Sequence, residues 1–223
     1  MNVREALLSR KSARAFLPRQ LPKGLLEQIV DDAKWAPSGG NMQPWHVYGV
    51  DGDATRRLLV KVAEGLKHQP RGETPEFLFF PEETIEPYTS RRLQCAEDMF
   101  STMGTPPEDK EARIEHVLRN YQLFGAPAGL FFAIDRRMDR NHWAHLGMYV
   151  QSVMLLAWEN GLDTCPQEAW ATQQTILKNF FDIPENLMIF CGVAVGYADQ
   201  AAPVNTLRTR RADFREFAKI VRH

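Results

Sequence analysis

Apolar residues recur at three- and four-residue intervals through Leu25, Leu26, Ile29, Val30 and Ala33, between Pro22 and Pro37. That interval is one face of a helix, with one proline where a helix begins and the other where it must stop. The same spacing at Leu58, Leu59, Val62, Ala63 and Leu66 predicts a second helix, with Asp53 placed to cap it. Val3, Ala6 and Leu7 share a helical face near the start, and that helix gives way to a basic run. Elsewhere the pattern changes: Trp45 to Val50 is aromatic and β-branched, Ala128 to Ile134 reads as a buried strand, and Leu187 to Tyr197 is the strongest strand candidate. Trp143 to Asn160 predicts a mostly apolar helix that Gly161 ends, and Thr172 to Phe181 another. Helices over Ser90 to Met103 and Glu108 to Phe124 flank Thr105-Pro106-Pro107. His68 to Tyr88, with four prolines and the apolar patch Phe77 to Phe80, reads as a long structured loop or lid, and Cys165 to Glu168 as a turn.

Strands and helices do not alternate regularly, and the helix-only stretch from Ser90 to Phe124 favours an α+β fold over a doubly wound sheet. At 223 residues, with no repeat or linker, residues 1–223 are expected to form one domain. The formal charge of -1 offers no general attraction to nucleic acid or to an anionic membrane. No signal-like apolar run opens the chain, and the apolar stretch from Leu187 to Ala198 is too short to span a bilayer. Cys95, Cys165 and Cys191 are odd in number and widely spaced, which fits a reduced, cytoplasmic compartment.

Two stretches carry chemistry. Arg10-Lys11-Ser12-Ala13-Arg14 combines guanidinium forks with a hydroxyl donor and suits a phosphate dianion, although a solvated basic helix end fits the same residues. Pro37-Ser38-Gly39-Gly40-Asn41-Met42-Gln43-Pro44 concentrates permissive backbone and amide side chains, which can grip the edge of a heterocycle or simply form a turn. His142 and His145 are spaced to face the same way, but no carboxylate or cysteine cluster joins them, so no metal site is expected. The patch Phe77 to Phe80 suits either a substrate pocket or core beneath the loop.

Taken in order, Arg10 to Phe16 followed by Ala36 to Trp45 resembles the N-terminal signature of the FMN-dependent nitroreductase family. Gly161 to Trp170 resembles the family segment that passes over the flavin, and Asn205 to Arg211 its phosphate clamp. Pro87-Tyr88 with Arg91-Arg92, and Phe124 to Pro127, look most like the branch that reduces nitrobenzoates and other nitroaromatics. The resemblance implies a mainly antiparallel mixed sheet flanked by helices, in an intertwined homodimer. It also implies a helical lid over about residues 68–125 and a C-terminal extension over about 199–223 that reaches the partner subunit. FMN, bound tightly but not covalently, would be contacted by Arg10, Lys11, Ser12, Arg14, Gln43, Arg208 and Arg211, and by Pro37, Ser38, Gly39 and Asn41 of the partner subunit. Pro166, Gln167 and Glu168 would form the turn whose backbone faces flavin N5, the hydride-carrying atom. Family members often carry a second serine where Gly39 stands and a glycine where Ala169 stands.

The activity implied is ping-pong hydride transfer from NADH or NADPH, through FMN, to a nitroaromatic or quinone-like acceptor, with no dedicated catalytic side chain. Two other readings remain: a reductive dehalogenase or enone reductase on the same fold, and a flavin-binding module without turnover.

Overall fold

The structure, a computed structural model, describes residues 2–222. Its centre is formed by the two longest apolar runs, strands β2 (Ala128–Asp135) and β4 (Leu187–Gly196), paired antiparallel and buried along nearly their whole length. Strand β1 (His46–Asp51) flanks β2, and β3 (Asp163–Gln167) flanks β4, giving the order β1-β2-β4-β3 with every strand pair antiparallel. A single parallel bridge joins Ser12 to Thr164 at the β3 edge.

Alternation along β2 divides the core between the two faces. Leu130, Phe132 and Ile134 face α2 (Leu25–Asp32) and α6 (Arg140–Glu159), meeting Ile29, Leu146, Tyr149 and Val153. Phe131 and Ala133 face α3 (Asp53–His68) and α7 (Gln174–Phe181), with Leu58, Val62, Trp170 and Leu177. Helix α1 (Val3–Ser9) buries Ala6 but leaves Val3 and Leu7 exposed. The pair α4 (Tyr88–Thr102) and α5 (Lys110–Leu118) stands off the sheet, burying only Phe100 and His116 between them, and Arg113 clamps it through Glu97 at 2.6 Å. A four-residue helix, α8 (Phe214–Phe217), lies in the C-terminal tail. No helix among the described residues is long and apolar enough to cross a membrane.

Three local expectations need correction, and the open reading of the Phe77 to Phe80 patch divides. Cys165 to Gln167 is strand rather than turn, and only Glu168 leaves it, opening a short 3-10 helix to Thr172. Pro166 is compatible with a strand because β3 is an edge, where a missing N–H costs no ladder bond. The helix expected over Glu108 to Phe124 ends at Leu118 and tightens into 3-10 turns, in which Leu123 and Phe124 take φ 50 and 53. Asp53 is the first residue of α3 and pairs with Arg56, while Gly52 holds the capping position. Phe77 packs into the core against Trp143 and Phe190, whereas Leu78 and Phe80 stay exposed.

Candidate functional site

The basic run folds as two pieces. Helix α1 ends where Arg10 leaves helical backbone at ψ 133, and the chain then runs extended beside β3, with Ala13 N donating to Thr164 O at 2.9 Å. Further along, Phe16 N reaches Phe124 O and Leu17 N reaches Tyr197 O, so the segment lies in a trough between the sheet and the 3-10 turns. Asn205, fully buried, fastens it from the other side. Its Oδ1 accepts from Arg14 N at 2.7 Å, and its Nδ2 donates to Ala15 O at 2.8 Å and to Asp199 O at 2.9 Å.

This arrangement brings the C-terminal basic residues against the N-terminal ones. A cleft of about 270 Å³ is lined by Arg10, Lys11, Ser12, Arg14, Arg208 and Arg211, with Leu7, Leu8, Leu207 and Thr209. The cations in it are not equivalent. Lys11 spends its ammonium on Asn205 O at 2.7 Å and on Gln200 Oε1 at 3.3 Å. Arg208 donates to the carbonyls of Leu8, Ser9 and Arg10, capping the negative end of α1. Arg211 bonds locally to Thr209 and to Arg210 O, and Arg14 Nη1 to Ser12 O at 3.3 Å.

Arg10 is different, because its Nη1 is buried with no hydrogen-bond partner among the described residues. Burial lowers its pKa, and the charges of Arg211 and Arg208 lower it further. A half-buried guanidinium facing two others, with a donor unspent, is an arrangement that an anion stabilises and that its absence penalises.

Beneath the cleft, burial pushes the Cys165 thiol up to about 11 against the opposing influence of Arg14 and Arg10, so the sulfur is protonated at neutral pH and is no nucleophile. Gln167 is buried, with Nε2 donating to Asn120 O at 2.8 Å and Oε1 accepting from Trp170 Nε1 at 3.3 Å. Its side chain is therefore spent inside the core, and only backbone is available from that residue. Pro166 and Glu168 on either side are exposed. His116 is buried between Phe100 and Phe124, and burial, then Arg119 and Arg14, lower its pKa to about 4.

Pro37, Ser38, Gly39, Asn41 and Gln43 do not line the cleft of their own chain. Their loop joins α2 to β1 and packs on α6, where Gly39 N donates to His145 Nε2 at 3.2 Å. Sequence reading singled out neither this contact nor the central place of Asn205. The pair His142 and His145 was a visible signal, but its target lies 106 residues away from His145. Among the described residues no group of three or more His, Cys, Asp or Glu is placed to hold a metal ion. Of the two arginines after Pro87-Tyr88, Arg91 pairs with Glu216 at 2.9 Å and Arg92 stacks 4.5 Å over Phe80.

Comparison with known proteins follows the same lines. The family model described as "Nitroreductase family" matches residues 7–197. The chain is 33% identical over 217 residues to the chloronitrobenzene nitroreductase of Comamonas testosteroni, covering 97% of this chain and 96% of that one. It is 34% identical over 203 residues to the 4-nitrobenzoate reductase of Pseudomonas putida, covering 91% and 88%. Its fold superposes with a TM-score of 0.95 on the crystal structure of the FMN and NADPH-dependent nitroreductase from Sphigopyxis sp. strain HMH, at 36% identity with both chains fully covered.

Proposed function

The chain belongs to the nitroreductase family, and from that premise we propose that it is an FMN-dependent oxidoreductase that uses NAD(P)H to reduce nitroaromatic and similar electron-poor compounds in a ping-pong cycle. The observation that carries the reading is the unspent, buried donor of Arg10 within a cluster of three guanidiniums, which fits the phosphate of a flavin mononucleotide. FMN, once bound, supplies the hydride transfer between nicotinamide and acceptor.

The chain's own residues would hold and orient that group. Arg10, Ser12 and Arg211 would take the phosphate end, while Arg208 keeps the end of α1 in place and Lys11 keeps the tail attached. Arg14, whose backbone Asn205 fixes, would lie toward the pyrimidine ring, where its charge favours the more negative, reduced cofactor. At the Pro166 to Glu168 bend the buried Gln167 side chain anchors β3, so the backbone there can offer a rigid N–H to the hydride-accepting position. No side-chain acid or base is assigned.

The loop Pro37 to Gln43 would complete the site from a second copy. Exposed area supports a homodimer: the single chain leaves 13573 Å² accessible, where a compact monomer of its mass exposes about 10,400 Å². Exposed Val3, Leu7, Trp35, Met42, Phe217 and Ile220 contribute to that surplus. The polypeptide is read as one domain, with residues 68–125 as lid and 199–223 as the arm that reaches the partner, in the cytoplasm.

Purified protein reconstituted with FMN should show a flavin absorbance that NADPH bleaches and 4-nitrobenzoate restores over many turnovers. A protein that takes up no FMN would defeat the cofactor assignment. Bleaching without restoration by any nitroaromatic would defeat the acceptor class alone.

A further inference from the structure

We propose that His145 is a positioning residue that holds the flavin-contacting loop 38–43 in shape, and that Gly39 is glycine in order to admit its ring. The inference rests on the flavin reading above, since the loop matters as one wall of that site.

The loop's backbone runs through the left-handed region at Gly40, Asn41 and Gln43, with φ 58, 55 and 49. Glycine and asparagine reach that region readily, whereas Gln43 is held there against its own preference. Four bonds lie within the loop: Asn41 N donates to Ser38 O at 3.0 Å, Met42 N to Gly39 O at 3.2 Å, Gln43 N to Ser38 Oγ at 2.9 Å, and Gln43 Nε2 to Asn41 O at 3.0 Å. None of them uses Gly39 N, which is bound from outside. Gly39 N donates to Nε2 of His145, and His142, three residues earlier on α6, places its Nε2 at 3.2 Å from Met42 Sδ. The two imidazoles stand 5.8 Å apart and perpendicular, so each addresses a different part of the loop. They project from the first turns of a helix that is locked into the core along the same side, one and two turns further on, by Leu146, Tyr149, Val150 and Val153. A loop with one disfavoured backbone position is thereby referenced to a helix packed into the core.

Gly39 and His145 also fit sterically. A Cβ at position 39 would lie 3.0 Å from Cε1 and 3.4 Å from Nε2 of the ring, closer than side chains tolerate without something moving. Gly39 itself does not occupy the left-handed region, so its backbone gives no reason for glycine. What the missing side chain provides is room for the imidazole to reach the amide. Because Nε2 accepts, the neutral ring carries its proton on Nδ1, and that nitrogen is buried without a partner among the described residues. The ring thus leaves one polar atom unsatisfied while presenting the other to the loop, an orientation apolar packing would not select.

The test is titration of the apo-protein with FMN, followed by flavin fluorescence, for the wild type and for His145→Ala, His145→Gln, Gly39→Ser and the double variant Gly39→Ser with His145→Ala. His145→Ala should weaken FMN binding about fivefold to tenfold, or about 1 kcal/mol. His145→Gln, which keeps an acceptor at similar reach, should restore most of the loss. Gly39→Ser alone should weaken binding, and removal of the ring in the double variant should relieve it. Wild-type affinity in His145→Ala, or a Gln variant no better than Ala, overturns the proposal. If His145→Ala does not fold, weak binding in Gly39→Ser beside normal binding in His145→Gln supports it, and the reverse pattern overturns it. FMN binding absent from every form, the wild type included, overturns the flavin reading instead.

Discussion

Replacing Arg211 with Gln tests the anion cleft without disturbing the core, because the residue is exposed and its hydrogen bonds are local to the tail. The account assigns Arg211 two opposite effects. In the apo-protein its charge depresses the pKa of Arg10, so removing it should leave the unfolding temperature unchanged or slightly raised. With FMN bound, the change deletes a charge-assisted hydrogen bond to phosphate, worth about 1.5–3 kcal/mol, or roughly a 10- to 150-fold rise in Kd. At saturating flavin the same free energy disappears from the ligand-induced stabilisation. For a chain of this size that lowers the midpoint of the FMN-loaded protein by about 3–12 °C. Fluorescence titration gives Kd, and thermal unfolding with and without FMN gives both midpoints. An unchanged Kd would refute the phosphate assignment, and equal destabilisation of both forms would make Arg211 a structural residue.

Two further substitutions probe what supports the cleft. In Gly192→Ala the new methyl would sit 2.4 Å from Trp170 Cδ1, with Phe131 only 4.8 Å behind the indole, so the crowding should cost about 1–3 kcal/mol in thermal unfolding. Because Trp170 anchors Gln167, FMN affinity should fall as well, and a variant as stable as the wild type would contradict this packing. His116 titrates near 4 in the folded chain, below the ordinary imidazole value, so the unfolded state takes up its proton first and stability declines as pH falls from about 6.5 towards 4. His116→Phe should remove about 2 kcal/mol of the stability difference between pH 7 and pH 5. An unaltered pH profile would show that His116 is not buried as a neutral ring.

The fold was legible wherever burial alone specifies an element. Strands β2 and β4 are continuous apolar runs because both faces are covered, and α2 shows its inner face through Leu26 and Ile29. Strand β3 was not legible. It contains Asp163, Thr164, Pro166 and Gln167, which look like a turn, and Asp163 Oδ2 and Gln167 Nε2 find distant partners in Ala198 N and Asn120 O, while Asp163 Oδ1 and Thr164 Oγ1 are buried with none among the described residues. The cleft was visible as two basic blocks, but their convergence depends on Asn205 bonding residues some 190 positions away, which no local period encodes. The motif pointed to the backbone around Gln167, and gave no sign that its side-chain amide is buried and bonded to Asn120 and Trp170. The contact between Gly39 and His145 joins a loop and a helix that each look ordinary alone.

The central claim is that the cleft at Arg10 and Arg211 holds the phosphate of a flavin, and paired titrations of the apo-protein with FMN and with riboflavin measure it directly. Both ligands carry the same ring system, so their difference isolates the phosphate. The account predicts that riboflavin binds about 100-fold or more weakly than FMN, and that most of the gap closes in Arg211→Gln. Equal affinity for the two flavins would contradict it.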